Sequence, residues 1–275
     1  IRASRQISFN TSERYDPIKF FIRKDFKIMT ISQQMTLIGK NAKVSSQFLR
    51  RLAEKRKNEI LAIISELIQN NKNLIIEQNK KDMEFGANKN LSESMLDRLY
   101  IDETRLNAII MGLEEIITLP DPIGTVIEKF SRPNGLKIKK VRTPIGVIGI
   151  IFESRPNVFV DAAALCFKSG NASVLRCGSE SYNTSLALES CFISGFKKAG
   201  IPEFCTQLIP TRDRLAVEEM LKMNEFFDVI VPRGGKGLVG LVQEKAQVPI
   251  FAHLEGIVHI YVHSDADPEK AREVI

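Results

Sequence analysis

Apolar residues recur at spacings of three and four between residues 32 and 119, the period of helices that bury one face. Leu49, Leu52, Ile60, Ile63, Ile64 and Leu67 form one stripe, with Lys and Glu between them. A second segment, Leu91 to Leu119, carries Leu106, Ile109, Ile110, Leu113 and Ile116, and Pro120 and Pro122 end it. Residues 124–130 and 136–142 then alternate in part and flank Arg132-Pro133-Asn134-Gly135, which predicts a hairpin. Its strands carry Glu128, Lys129, Lys137, Lys139 and Lys140, so the hairpin is expected to project from the body rather than join the core.

From Ile145 the pattern becomes strand and helix in alternation. Strands are predicted at 145–151, 172–176, 206–209, 227–231, 249–251 and 258–262. Helices are predicted at 158–168, from a cap at Ser181 or Asn183 to about Ala199, at 215–223, and from the Gly234-Gly235-Lys236-Gly237 loop to about Lys245. Gly170 and Gly200 close two of them. Strands bounded by helices at this spacing predict an α/β fold with a doubly wound parallel sheet, preceded by N-terminal helices and the hairpin.

The ends read differently from the middle. Residues 1–28 have no clear period, and Met29 opens the helical stretch, so 1–28 is set aside as an unassigned extension. Its Glu13, Asp16 and Asp25 argue against a transit peptide. Asp267-Pro268-Glu269 starts a helix that no Gly, Asn or Pro closes before Ile275, so the chain reads as cut inside an element.

Composition narrows the function. Of 275 residues, 44% are hydrophobic and 26% charged, which excludes bulk disorder and collagen-like repeats. No apolar run approaches the roughly 18 residues of a spanning helix, so no membrane partner is expected. The net charge of +6 lies mostly in residues 1–28. With no Trp and four Tyr, that argues against a nucleic-acid partner, which needs a basic face on a folded body. Cys166, Cys177, Cys191 and Cys205 contain no CxxC, and His253, His259 and His263 fit no zinc spacing, so neither disulfides nor a metal are expected. Cys177 alone ends a strand; the four cysteines are read as structural.

Ligands of open parallel sheets bind beyond the carboxyl ends of the strands, and three such ends carry unusual loops. Phe152-Glu153-Ser154-Arg155-Pro156-Asn157 either holds an anion or is a solvated connection. Arg176-Cys177-Gly178-Ser179-Glu180 either accommodates a 2′-phosphate through Arg176 and Ser179 or carries a surface Arg near a helix start. Pro232-Arg233-Gly234-Gly235-Lys236-Gly237 either lets a ligand approach the backbone or is a tight turn, and it matches neither GxxxxGK[ST] nor GxGxxG.

Together with Ile145-Gly146-Val147-Ile148-Gly149, Lys168-Ser169-Gly170-Asn171-Ala172 and His253-Leu254-Glu255-Gly256, these strings resemble the gamma-glutamyl phosphate reductase family of the aldehyde dehydrogenase superfamily over about residues 29–275. The resemblance implies NADPH-dependent reduction of L-glutamyl 5-phosphate to L-glutamate 5-semialdehyde with release of phosphate. This is a cytoplasmic step of proline biosynthesis. A Cys thiolate would form a thioester with the acyl group, and hydride transfer would release the aldehyde.

The same resemblance implies an organisation of 29–123 as the helical part of the cofactor domain, 124–142 as an oligomerisation hairpin of a homo-oligomer, and 143–275 as the Rossmann-like part. Cofactor (NADP) residues would be Glu153, Ser154, Arg176, Gly178, Ser179, Arg233, Gly234 and Gly235, with Arg176, Gly178 and Ser179 toward the adenosine. Arg155 and Asn157 would bind the substrate anion. The family's nucleophile lies in a Gly-Val-Cys-Asn-type loop expected beyond Ile275, so no catalytic residue is assigned and the 275 residues alone are expected to be inactive. The alternative is a non-catalytic remnant that at most binds a nucleotide.

Overall fold

The computed structural model describes residues 29–252 and 259–274. The 1–28 extension and the His253–Gly256 string lie outside the described residues.

Five helices open the chain: α1 (Ile31–Leu49), α2 (Glu54–Asn70), α3 (Lys72–Asn88), α4 (Glu93–Leu99) and α5 (Glu103–Thr118). Thr30 caps α1 in a reciprocal box with Gln33, satisfying backbone donors that a helix start leaves free. Of the stripe read from the sequence, Ile60 and Ile64 of α2 and Leu106 and Leu113 of α5 are fully enclosed, and Ile63 and Leu67 are half-buried beside them.

Strands β1 (Val126–Ser131) and β2 (Lys137–Val141) pair antiparallel as a separate two-stranded sheet. Arg132 N donates to Leu136 O at 2.9 Å to close the turn, and nearly every side chain of the two strands is exposed. The hairpin therefore projects, as its charges predict. Its root is tied down: Asp121 N donates to Glu54 Oε1 at 3.1 Å, and the Asp121 carboxylate pairs with the buried Lys57 of α2.

The main sheet consists of β3 (Val147–Phe152), β4 (Ala172–Arg176), β5 (Thr206–Leu208) and β6 (Val229–Arg233), parallel and ordered β5-β4-β3-β6. Connecting them are α6 (Asn157–Lys168), α7 (Tyr182–Lys198) and α8 (Leu215–Lys222); α9 (Lys236–Lys245) and α10 (Pro268–Val274) follow. The chain steps outward from β3 through β4 to β5, then returns past β3 to β6. With right-handed crossovers this reversal sends α6 and α7 to one face and α8 to the other. All six residues of β3 and all five of β4 are buried, the signature of a sheet covered on both sides.

Three expectations are corrected. Neither Ser181 nor Asn183 caps α7 with its side chain; the cap is Asp82 of α3, which accepts from Asn183 N at 3.1 Å and Thr184 N at 2.7 Å. The strand expected at 258–262 is not formed over its described part, 259–262. Ile260, Tyr261 and Val262 are exposed there. The strand expected at 249–251 is likewise reduced, among the described residues, to a one-residue bridge, Ile230 to Ile250.

Candidate functional site

Register brings the three loops together. Ile151 of β3 stands opposite Arg176 of β4 on one side and Pro232 of β6 on the other, and Phe152 stands opposite Arg233. All three loops therefore leave the same end of the sheet, around the crevice between β3 and β6 where the strand order reverses. They border a cavity of about 630 Å³ lined by Glu153, Ser154, Arg176, Cys177, Gly178 and Ser179, with Arg212 and Arg214 from the β5–α8 connection and Gly237 and Leu238 from α9.

Two carboxylates organise these loops. Glu153 Oε2 accepts from Gly235 N at 2.9 Å, so a side-chain anion already sits at the start of α9. A Cβ on Gly234 would stand 2.5 Å from that oxygen, which explains the glycine. Ser154 adopts φ 42° in the β3–α6 loop, and its N and Oγ both donate to Glu180 Oε1, at 2.9 and 2.7 Å. A Cβ on Gly178 would overlap the same carboxylate. The open space expected for ligand backbone contacts is thus shared with two acids of the chain itself. Glu180 was missed as a contributor because its partner loop lies 26 residues upstream.

Arg176 is not the surface residue its local sequence allowed. It is 5% exposed. Its guanidinium donates to Cys177 O and, at 3.0 Å, to Arg212 O, and its Nε has no hydrogen-bond partner. Arg212 and Arg214 had no sequence signal; they reach the cavity only because β5 lies beside β4.

The remaining expected residues lie apart. Arg233 is exposed at the end of β6 and does not line the cavity. Arg155 is exposed and is also outside it. Asn157 borders a separate groove with Arg98, Tyr100 and Asp161, and its Nδ2 stands 3.4 Å from Asp161 Oδ2. Burial pushes Asp161 above the usual carboxylate range, opposed by that contact.

The four cysteines are free and buried. Burial pushes Cys166, Cys191 and Cys205 up to about 12. Cys177, although on the cavity wall, is held up at about 11 by burial, against a lowering influence of Arg176 and of the nearby Ser185 and Ser181 hydroxyls. None is a thiolate at neutral pH, so none is an activated nucleophile. Among the described residues no group of His, Cys, Asp and Glu is placed to hold a metal, and no helix is long and apolar enough to cross a membrane.

A parallel sheet with a crevice at its switch point and a cavity between glycine-bearing loops is the architecture of a dinucleotide-binding domain. The chain belongs to the aldehyde dehydrogenase family, whose model matches residues 32–275. More particularly, it is 48% identical over 237 residues to the gamma-glutamyl phosphate reductase of Rhodospirillum rubrum, an alignment covering 86% of this chain and 56% of the relative. The solved gamma-glutamyl phosphate reductase of Thermotoga maritima superposes with a TM-score of 0.82 at 37% identity, over 88% of this chain and 58% of that one. That of Saccharomyces cerevisiae gives 0.75 at 33% identity, over 90% and 62%. The chain thus spans rather more than half the length of these relatives, and its fold is that of an aldehyde dehydrogenase with the hairpin and cofactor-type sheet in place.

Proposed function

We propose that the chain is the cofactor-binding part of an NADPH-dependent gamma-glutamyl phosphate reductase. The carrying observation is the convergence of the three loops on one cavity in a chain similar to enzymes of that name. A nicotinamide dinucleotide fits what is present. Glycine-bearing loops and three arginines border the cavity, one of them with an unsatisfied Nε in the wall, and the Glu153 carboxylate would have to leave Gly235 N for a phosphate to reach it. When bound, that cofactor supplies the hydride that takes an acyl group to an aldehyde. The chain's own residues would bind and orient it: Gly178 and Ser179 at the adenosine end, Gly234 and Gly235 with Glu153 toward the phosphates, and Ser154 held by Glu180.

The substrate of this proposal is L-glutamyl 5-phosphate, the product is L-glutamate 5-semialdehyde with free phosphate, and the place is cytoplasmic proline biosynthesis. Arg155 and Asn157, outside the cavity, would meet the substrate anion only if it enters from the α6 side. The thiolate for the thioester would come from outside these 275 residues, since burial holds all four thiols protonated. The hairpin would serve a homo-oligomer, supported by the exposure of Val126, Ile127, Leu136 and Val141. The same buried thiols support a second reading, in which these residues alone bind the nucleotide without turning over.

The test compares the purified 275-residue chain with a version extended to the relatives' length. Both are titrated with NADPH and assayed for phosphate-dependent NADP reduction with L-glutamate 5-semialdehyde. The expected result is nucleotide binding by both and turnover by the longer protein alone. A longer protein that binds NADPH but does not use this aldehyde would refute the substrate assignment.

A further inference from the structure

We infer that Arg212 is the residue that recognises a phosphate on the 2′-position of the adenosine ribose, and so sets the choice between the two nicotinamide dinucleotides. The inference rests on the dinucleotide reading above and deepens it.

Four observations place a prepared cationic fork at this point. The Arg212 guanidinium carbon lies 4.6 Å from the Tyr182 ring centroid and 5.0 Å from that of Phe85, so α3 and the start of α7 hold the group between two aromatic faces. Its Nε donates to Ser179 O at 3.0 Å, tying it to the β4 loop. Its carbonyl accepts from Arg176 at 3.0 Å, so its backbone is pinned from beneath. Both Nη groups have no hydrogen-bond partner among the described residues, although the side chain lines the cavity. A planar fork with its orientation fixed and its two outer donors free matches the bidentate geometry of a phosphate.

The competing groups in the wall are engaged. Enzymes that prefer an unphosphorylated ribose present a carboxylate to its 2′-hydroxyl. Here Glu180 is the acid at the end of β4, and its Oε1 already accepts from both Ser154 N and Oγ, while Ser179 Oγ lies 3.3 Å from Oε2. Glu218 pairs with Lys245 at 3.1 Å. Arg176 spends its outer donors on two carbonyls. Arg214 lines the same wall without ring support, and its carbonyl begins α8. The wall sets three arginines against three glutamates, and Arg212 is its one oriented fork with free outer donors among the described residues.

The test measures dissociation constants of the full 275-residue chain for NADPH, NADH, 2′-AMP and 5′-AMP. The proteins are the wild type, Arg212→Gln, Arg212→Lys and, as a control on the distant hairpin, Arg132→Gln. Wild type and Arg132→Gln should favour NADPH over NADH and 2′-AMP over 5′-AMP. Arg212→Gln should cut both preferences about tenfold or more while leaving NADH affinity within about twofold, as expected for loss of one charge-assisted contact. Arg212→Lys keeps the charge without the fork and should fall between them; it covers the case in which the glutamine variant disturbs the loop. A preference for the 2′-phosphate that survives both Arg212 variants overturns the inference and leaves the dinucleotide reading intact. Equal binding of NADPH and NADH by the wild type also overturns it. A wild type that binds none of the four ligands overturns the dinucleotide reading, and this inference with it.

Discussion

Asp82 of α3 grips Thr184 of α7 twice: its Oδ2 accepts from Thr184 N and from Thr184 Oγ1, each at 2.7 Å. Its other oxygen accepts from Asn183 N and Nδ2, at 3.1 and 2.9 Å. One buried carboxylate from a distant helix thus performs the capping that residues next to α7 do not. Asp82→Ala would strand the first N–H groups of α7 in the interior. It is expected to cost about 3 kcal/mol in urea unfolding, and Asp82→Asn, which keeps one acceptor, about half of that. A change below about 1 kcal/mol for the alanine variant would show that water replaces the cap.

Glu189 of α7 is buried and accepts from Leu208 N of β5 at 2.6 Å. Burial pushes its carboxyl up to about 8, and that hydrogen bond opposes the shift. The folded chain therefore holds a proton that the unfolded chain releases near pH 4.5. Its contribution to stability is complete below that value and is lost as pH rises through about 8, with a slope of up to about 1.4 kcal/mol per pH unit between. Glu189→Gln should flatten the wild-type stability curve over this window. Parallel curves for the two proteins would contradict the protonated state.

Gly195 and Gly200 are both needed, for different reasons. A Cβ on Gly195 of α7 would overlap Ile64 of α2, so Gly195→Ala should cost about 1–3 kcal/mol through overpacking. Gly200 has φ 67° and open space around it, so Gly200→Ala should cost about 1 kcal/mol through backbone strain alone. Ile64→Ala, which removes the overlapping Cγ1, should cost less in the Gly195→Ala background than in the Gly200→Ala one, as read from thermal melts.

Protonated, buried thiols should be slow to react. In the native chain at pH 8, a thiol reagent is expected to label none of the four cysteines at a rate approaching that of a free thiol, and all four after unfolding. Cys177→Ala should lower stability with little change in nucleotide affinity. Rapid labelling of native Cys177 would reverse its assignment as a packing residue.

Legibility followed the range of the interactions. β3 could be read because Val147–Phe152 is a continuous apolar run in a sheet covered on both faces. The hairpin could be read because its turn signal lies within four residues. The three loops were found because their unusual composition falls at strand ends. The cap of α7 was misread because local chemistry offers Ser181 and Asn183, whereas Asp82 lies 101 residues from Asn183. Arg176 could not be judged from its neighbours, since the carbonyl that holds its far end belongs to Arg212, 36 residues away. Arg212 left no local mark at all: its stacking partners Phe85 and Tyr182 sit on two other helices.

The position of β3 between β4 and β6 also sets an order of assembly. On one side, Gly146 N finds Asn171 Oδ1 across 25 residues; on the other, Val147 N finds Asp228 Oδ2 across 81. Closing the longer span costs about 1 kcal/mol more chain entropy, before any contact offsets it. The β3–α6–β4 unit is therefore favoured to form first, and docking of β6 carries the larger closure cost. Since Glu153 meets Gly235 only after β6 has docked, the crevice is among the last features to form. A folding defect on the β6 side would leave a chain with most of its secondary structure and no nucleotide site.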